Sequence, residues 1–217
     1  MIVTLDGPAG AGKSSAAKAL ARRLGFEFLD TGAMYRAVTL AGLRAAIDLQ
    51  DQGALARLLA DFRLEMPPGR VLLNDEDVTS AIRSVEVTNA SGVIASSRIV
   101  CQHLVGLQRA AAAGRDLVCE GRDQGTIVFP DAACKFFLVA EPTERARRRQ
   151  GEMAKRGDVQ SLEEVLRAQD ERDRGDAARD IAPMVPAADA IMLDSTGLAL
   201  EQVVDRMEQE VRQRMKQ

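Results

Sequence analysis

Residues 7–14, Gly7-Pro8-Ala9-Gly10-Ala11-Gly12-Lys13-Ser14, fit the pattern G-x-x-x-x-G-K-[S/T]. They stand between an apolar run, Ile2-Val3-Thr4-Leu5, and a segment rich in Ala, Leu, Lys and Arg from Lys13 to Leu24. That order reads strand, glycine loop, helix, and it commits the chain to a ring of backbone N–H groups at a helix N-terminus. Glycines at 7, 10 and 12 let the backbone wrap with those groups pointing inward, and the helix dipole adds positive potential. Such a cradle suits a polyphosphate. Lys13 can reach the β and γ phosphates as a point charge, and the Ser14 hydroxyl can join the coordination of a bridging Mg²⁺. A dinucleotide loop, G-x-G-x-x-G, fails because Ser15 stands where its third glycine belongs.

The rest of the chain alternates in the same style. Phe26–Leu29 reads as a second strand, and residues 34–47 carry helical spacing through Val38, Leu40, Leu43 and Ile47. Residues 62–79 break the pattern: short apolar runs separated by Pro67-Pro68-Gly69 and Asn74-Asp75 predict a small antiparallel insertion. Helical patterning resumes to about Ala113, and Leu117-Val118-Cys119 and Phe136-Phe137-Leu138-Val139 suit buried parallel strands. Pro142-Thr143-Glu144 opens a basic helix, Lys155-Arg156-Gly157-Asp158 reads as a mobile turn, and Ser161-Leu162-Glu163-Glu164 is a capping box. A last strand, Ala190–Leu193, precedes a helix with Leu200, Val203, Val204, Met207 and Val211 on one face. The 217 residues, 46% hydrophobic, have length for one α/β domain with a small insertion.

Several function classes fall away. Twenty-nine Lys+Arg against 32 Asp+Glu leave a net charge of −3, and aromatics are 3% with no Trp, so neither a general polyanion surface nor base-stacking platforms are expected. The three cysteines form no C-x-x-C pair and His103 is the single histidine, too few ligands for a thiolate-imidazole zinc site. No membrane span and no leader are read, so a cytoplasmic protein is expected. A GTPase would need D-x-x-G and N-K-x-D downstream, and neither occurs. What the chain has instead is arginine outside the loop: Arg36, Arg122, the run Arg145, Arg147, Arg148, Arg149, and the segment from Arg172 to Arg179. Taken singly, an arginine is more often a solvated surface charge. Transfer of a phosphoryl group between two anions nevertheless needs such cations, and Arg122 follows a parallel strand at its carboxyl end, where open α/β sheets bind ligands. Arg172, Asp176 and Arg179 share one face if a helix runs through Gly175.

These segments together resemble a known family. Leu5–Lys13, Leu29-Asp30-Thr31-Gly32-Ala33-Met34-Tyr35-Arg36, residues 74–78 with Ile82-Arg83, residues 120–131 beginning Glu120-Gly121-Arg122-Asp123, and residues 182–189 make the chain similar to the bacterial cytidylate kinases over nearly its whole length. The resemblance implies a P-loop kinase core, a parallel sheet flanked by helices. It adds a small antiparallel monophosphate-binding insertion at about residues 62–84 and a helical lid at about 148–165, all in one domain, 1–217. It implies ATP-dependent phosphorylation of CMP and dCMP to the diphosphates, in pyrimidine nucleotide salvage, by a monomer acting on small nucleotides with Mg²⁺.

By resemblance, residues 7–15 and the lid Arg148 bind ATP. Thr31, Tyr35, Arg36, Arg122, Asp123, Arg172, Asp176 and Arg179 bind the acceptor: Arg36 and Arg122 on its phosphate, Asp123 on the cytosine amino group, Asp176 on the sugar hydroxyls. Lys13, Arg122, Arg148 and Arg172 are the catalytic candidates. The sequence departs from the family pattern where Gly92 and Cys101 replace a Ser and an Arg that contact cytosine, and where Gly175 replaces an Arg; Ser91 and Arg98 are the neighbouring substitutes. Two alternatives stay open: another monophosphate or a non-nucleotide acid as acceptor, and a nucleotide-binding regulator without transfer activity.

Overall fold

The computed structural model describes residues 1–155 and 157–216. Arg156, inside the expected turn and lid, lies outside the described residues. In chain order the elements are β1 (Ile2–Asp6), α1 (Lys13–Leu24), β2 (Glu27–Asp30), α2 (Thr31–Arg44), α3 (Gln52–Ala60), β3 (Leu64–Glu65), β4 (Leu72–Leu73), β5 (Glu76–Asp77) and α4 (Val85–Ala95). There follow α5 (Arg98–Ala112), β6 (Leu117–Glu120), β7 (Cys134–Val139), α6 (Pro142–Ala154), α7 (Leu162–Ala177), β8 (Ile191–Asp194) and α8 (Leu200–Arg214). The chain divides into two compact units, Met1–Phe28 with Gly114–Gln217, and Leu29–Ala113.

The first unit is built on a five-stranded parallel sheet of order β2-β6-β1-β7-β8. β1 is central, pairing with β6 through Val3–Val118 and with β7 through Leu5–Phe136, and it is buried on both faces, Val3 and Leu5 on one and Thr4 and Asp6 on the other. Both α1 and α8 supply apolar stripes to one core. Ala16, Ala17, Leu20 and Ala21 of α1 join Val203, Val204, Met207 and Val211 of α8 with the strand residues Val3, Leu5, Val118, Phe136, Leu138 and Leu193. Full burial of a side chain the size of Phe136 contributes about 1.5–3 kcal/mol. Leu200, expected on that face, is 39% exposed because it opens the helix. The capping box at Ser161 is formed, with Glu164 N–H on Ser161 Oγ at 3.2 Å and Ser161 N–H on Glu164 Oε2 at 2.9 Å. From it α7 runs unbroken through Gly175.

The second unit holds α2 to α5 and the three-stranded antiparallel sheet β3-β4-β5. Asn74 and Asp75 both take positive φ, 48° and 72°, and so form the tight β4–β5 hairpin that their identities suggest. Helix α2 starts at Thr31, earlier than the apolar spacing from Met34 implies, because Asp30 accepts the Ala33 N–H at 2.8 Å and caps it. It ends at Arg44, short of Ile47. The helical stretch before Ala113 is two helices, α4 capped by Ser84 and α5 capped by Ser97. His103 of α5 packs edge-on to Phe62, ring centroids 6.0 Å apart.

Candidate active site

In the first unit the carboxyl ends of β1, β6 and β7 carry Asp6, Glu120 and Val139, with Leu5 in register with Glu120. The loop Gly7–Gly12 leaves β1 tight against β7. A Cβ on Gly7, whose φ is 136°, would lie 2.1 Å from the Leu138 carbonyl oxygen, so only glycine permits this approach. Gly12, at φ 92°, turns the chain into α1. Lys13 is buried, and its ammonium donates to the Pro8 carbonyl at 2.7 Å. Loss of solvation pulls its pKa down to about 7; the Arg122 guanidinium pushes the same way, while Glu120, Asp6 and Asp173 oppose it.

Ser14 Oγ donates to the Glu120 carboxylate. Glu120 was not among the residues singled out from the sequence, although a signal was there: an acid ending an apolar run at the carboxyl edge of a parallel strand. Ser15 is exposed in the first turn of α1. Pro8 precedes Ala9, whose N–H and carbonyl are bonded to side chains of α7 and α6, and the Ala11 carbonyl accepts from Ser195 Oγ at 3.0 Å. Arg148 donates to the Ser195 carbonyl at 2.8 Å, to Ser195 Oγ at 3.1 Å and to Glu144 at 3.0 Å. Its Nη1 lies 3.7 Å from the position of a Cβ on Gly12, next to the loop.

Asp176, buried near the end of α7, joins two arginines. Arg122 Nε donates to Asp176 Oδ2 at 2.8 Å, and Arg179 is paired with Oδ1 of the same carboxylate. Arg122 also donates to the Gly121 carbonyl at 3.1 Å, which fixes its plane. Arg172 is exposed on α7, one turn before Asp176. Asp123 precedes a single π-helical turn, Gln124–Val128, held by the Asp6 carboxylate, which accepts the Gln124 N–H at 2.9 Å and the Gly125 N–H at 2.8 Å. Burial raises Asp123 to about 6 and the neighbouring Asp6 adds to that, while the Gln124 amide and Arg179 oppose it. Burial also raises Asp6.

In the second unit Thr31 is buried at the start of α2. Arg36 and Arg83 both lie on Asp30 Oδ2, each at 3.4 Å. The Tyr35 hydroxyl donates to Cys101 Sγ at 3.6 Å, and the Cys101 thiol lies 3.4 Å from the Ala95 carbonyl. Of the two proposed substitutes, the buried Ser91 hydroxyl donates to the Thr88 carbonyl at 2.8 Å, whereas Arg98 is exposed. Gly92 is exposed, with open space where a Cβ would stand. The structure thus groups Lys13, Ser14, Arg122, Asp123, Arg148, Asp176 and Arg179 in the first unit, and Thr31, Tyr35 and Arg36 on one helix of the second.

No helix among the described residues is long and apolar enough to cross a membrane. A crystal structure of an uncharacterized protein from Eubacterium ventriosum superposes with a TM-score of 0.55 at 10% identity, covering 98% of each chain, and shares the fold. The chain is 45% identical over 213 residues to the cytidylate kinase of Rhodopirellula baltica, covering 98% of this chain and 93% of that one. It is 47% identical over 207 residues to the cytidylate kinase of Pelotomaculum thermopropionicum, covering 93% and 92%. The family model described as cytidylate kinase matches residues 3–213. With a phosphate loop on a five-stranded parallel sheet and this similarity along its length, the chain belongs to the cytidylate kinase family.

Proposed function

We propose that the chain transfers the γ-phosphoryl group of ATP to the 5′-phosphate of CMP or dCMP. The observation that carries this reading is the placement of Arg122, Asp176 and Arg179, linked through one carboxylate, in the same unit as the phosphate loop and Lys13. An oxygen of the acceptor phosphate forms the new P–O bond as the bond from the γ-phosphorus to the β–γ bridging oxygen breaks, leaving the charge on ADP. The attacking oxygen is already ionised near neutral pH, so no general base is needed, and positioning with charge stabilisation carries the rate.

Lys13 neutralises charge on the transferring group. A bound polyphosphate would draw its proton on firmly, because an adjacent anion favours the ammonium against the depression that burial causes. Arg122 and Arg179 receive the acceptor phosphate, Arg148 serves the ATP side, and Arg172 is assigned with them on the resemblance. Thr31, Tyr35 and Arg36 are assigned to the acceptor on the same ground. Asp123 accepts from the exocyclic amine of cytosine. Ser14 and Glu120 present a hydroxyl and a carboxylate oxygen, the hard donors Mg²⁺ prefers, and would hold that ion. When bound, it supplies positive charge on the β and γ phosphates.

The β3-β4-β5 insertion is taken as the monophosphate-binding element and residues 148–165 as the lid. Three buried free cysteines suit a reducing cytoplasm, where the reading places the protein as a monomer. A panel of acceptors, CMP, dCMP, UMP, AMP and a hydroxy acid, assayed for ADP release with ATP and Mg²⁺, tests the reading. CMP and dCMP should lead by at least tenfold in kcat/KM. Turnover led by another acceptor, or ATP binding without turnover of any, would overturn it.

A further inference from the structure

Ala9 of the phosphate loop is held from outside through both of its backbone polar groups. The Ala9 N–H donates to Asp173 Oδ1 at 3.1 Å, and the Ala9 carbonyl accepts from Arg145 Nη1 at 2.9 Å. The two side chains are themselves an ion pair, Arg145 on Asp173 Oδ2, and Arg145 Nε is anchored on the Ala140 carbonyl at 3.1 Å. Arg145 comes from the first turn of α6 and is 5% exposed; Asp173 comes from α7. A second α7 residue touches the loop one turn earlier: Gln169 Nε2 lies 2.6 Å from the position of a Cβ on Gly10 and donates to the Arg145 carbonyl at 3.4 Å. Residues 169 and 173 are four apart, so they form one face of α7 laid against the loop.

A carboxylate beside a polyphosphate site repels the ligand unless it is neutralised and has another task. Here Arg145 neutralises it, and the task is visible in the bonding: Ala9 has its N–H and its C=O fixed by one salt bridge. We infer that Asp173 and Arg145 are positioning residues for the phosphate loop, holding the Ala9 peptide so that the N–H groups that follow it keep the cradle shape ATP enters. The inference rests on the reading of residues 7–15 as the ATP site. Asp173 also favours the charged form of Lys13, alongside Glu120 and Asp6 and against Arg122, so its loss acts on the loop lysine in the same direction.

The experiment compares wild type with Asp173→Ala and Asp173→Asn. It measures ATP affinity by calorimetry, KM for ATP and for CMP, kcat, and Tm. Asp173→Ala should weaken ATP about tenfold, the usual consequence of losing a backbone bond to a charged acceptor, while KM for CMP moves less than twofold. Asp173→Asn keeps an oxygen for the Ala9 N–H and should recover at least half of the loss on a logarithmic scale, which a purely structural role would not produce. Should Asp173→Ala unfold, the paired variant Arg145→Met/Asp173→Leu removes both charges without orphaning either, and the same selective loss for ATP is expected. Unchanged ATP affinity in a folded variant, or equal losses for ATP and CMP, would overturn the inference. Wild type that binds no ATP would instead overturn the reading of the site beneath it.

Discussion

The two units brace charge alike but differ in one polar contact; the second unit also sets two arginines, Arg36 and Arg83, on one carboxylate, Asp30. Around the phosphate loop charges come in braced sets: Asp176 between Arg122 and Arg179, Asp173 with Arg145, Ser14 on Glu120. On α2 of the other unit Tyr35 donates to a thiol, Cys101, a soft and weak acceptor, at the position where the resemblance implies an arginine. A phosphoryl group in transfer offers the same charges whichever base the acceptor carries, so its handling is fixed by paired arginines and carboxylates. Base reading needs only a donor and an acceptor at one ring edge, and there a substitution can be absorbed by repacking. Of the three departures that the resemblance implies, Gly92 and Cys101 fall in the second unit, while Gly175 lies in the first, beside Asp176.

The comparison is broken most directly at Lys13. Lys13→Ala should lower turnover by ~10²–10³-fold, the scale for removing one preorganised stabiliser of transition-state charge. The fold should survive. With its pKa depressed to about 7 from 10.5, the buried ammonium costs stability in full below pH 7, and that cost fades as pH rises from 7 towards 10.5, where the unfolded chain still holds the proton. Thermal unfolding should therefore show wild-type stability gaining across that window relative to Lys13→Ala. In the free enzyme kcat/KM for ATP should decline above about pH 7 as Lys13 loses its charge. A variant with near-normal turnover would remove the loop lysine from the mechanism.

Arg122→Ala comes next. Loss of a charge-assisted contact to the acceptor phosphate should raise KM for CMP by ~10–100-fold, with ATP affinity nearly intact. Asp176 keeps Arg179, so no buried carboxylate is left alone. Because Arg122 helps depress Lys13, the alkaline limb in kcat/KM should also move to higher pH. Equal losses for ATP and CMP would place Arg122 at the shared centre of the reaction.

Much of the first unit can be read from its residues. Helix α1 runs Lys13–Leu24 between two glycines of positive φ, Gly12 and Gly25, and both glycines are in plain view in the chain. The hairpin at Asn74-Asp75 is legible for the same reason, since few residues tolerate two positive φ values in succession. Helix α3 is not legible in the chain: its nine residues bury only Ala54, Leu55 and Leu59, too short a stripe for periodicity to register. The start of α2 was hidden because Asp30 caps it from within a motif read for other reasons. Partnerships 54 and 164 residues apart in sequence, the Arg122 side chain with Asp176 and the Ala9 backbone N–H with Asp173, carry no local signal at all. The site residues stood out singly by type and place, but which carboxylate holds which arginine is a product of the fold.

Base choice offers a subtler test. Asp123 is raised to about 6 by burial and by Asp6, so it is ionised at pH 7.5 and largely protonated one unit below 6. As a carboxylate it accepts from the cytosine amine and repels the uracil carbonyl; as a carboxylic acid it can donate to that carbonyl. The preference for CMP over UMP, as a ratio of kcat/KM values, should shrink about tenfold between pH 7.5 and pH 5, following the roughly tenfold loss of ionised Asp123 at one unit below its pKa. Asp123→Asn should hold one ratio across that range. A wild-type ratio flat with pH would mean that another group reads the base.

The smallest effect expected is at Cys101, and it bears on the second unit alone. Cys101 is buried, takes the Tyr35 hydroxyl at 3.6 Å, and stands where the resemblance implies an arginine that contacts cytosine. Its thiol is at best a weak partner for a pyrimidine edge. Of its neighbours, Ser91 is buried and bonded to the Thr88 carbonyl, whereas Arg98 at the start of α5 is exposed, one turn before Cys101. Cys101→Arg restores a planar donor. The side chain is larger than the thiol it replaces, so part of the gain is offset by displacing Tyr35 from its contact. A net fall of about threefold to tenfold in KM for CMP is expected, the scale of one hydrogen bond regained, with KM for ATP unchanged. On the proposed role of Asp123, which would repel uracil independently, the CMP:UMP ratio should move less than KM for CMP itself. An unchanged KM for CMP would show that another group already reads the base, and Arg98→Ala in the wild-type background would then raise KM for CMP where Cys101→Arg had failed to lower it.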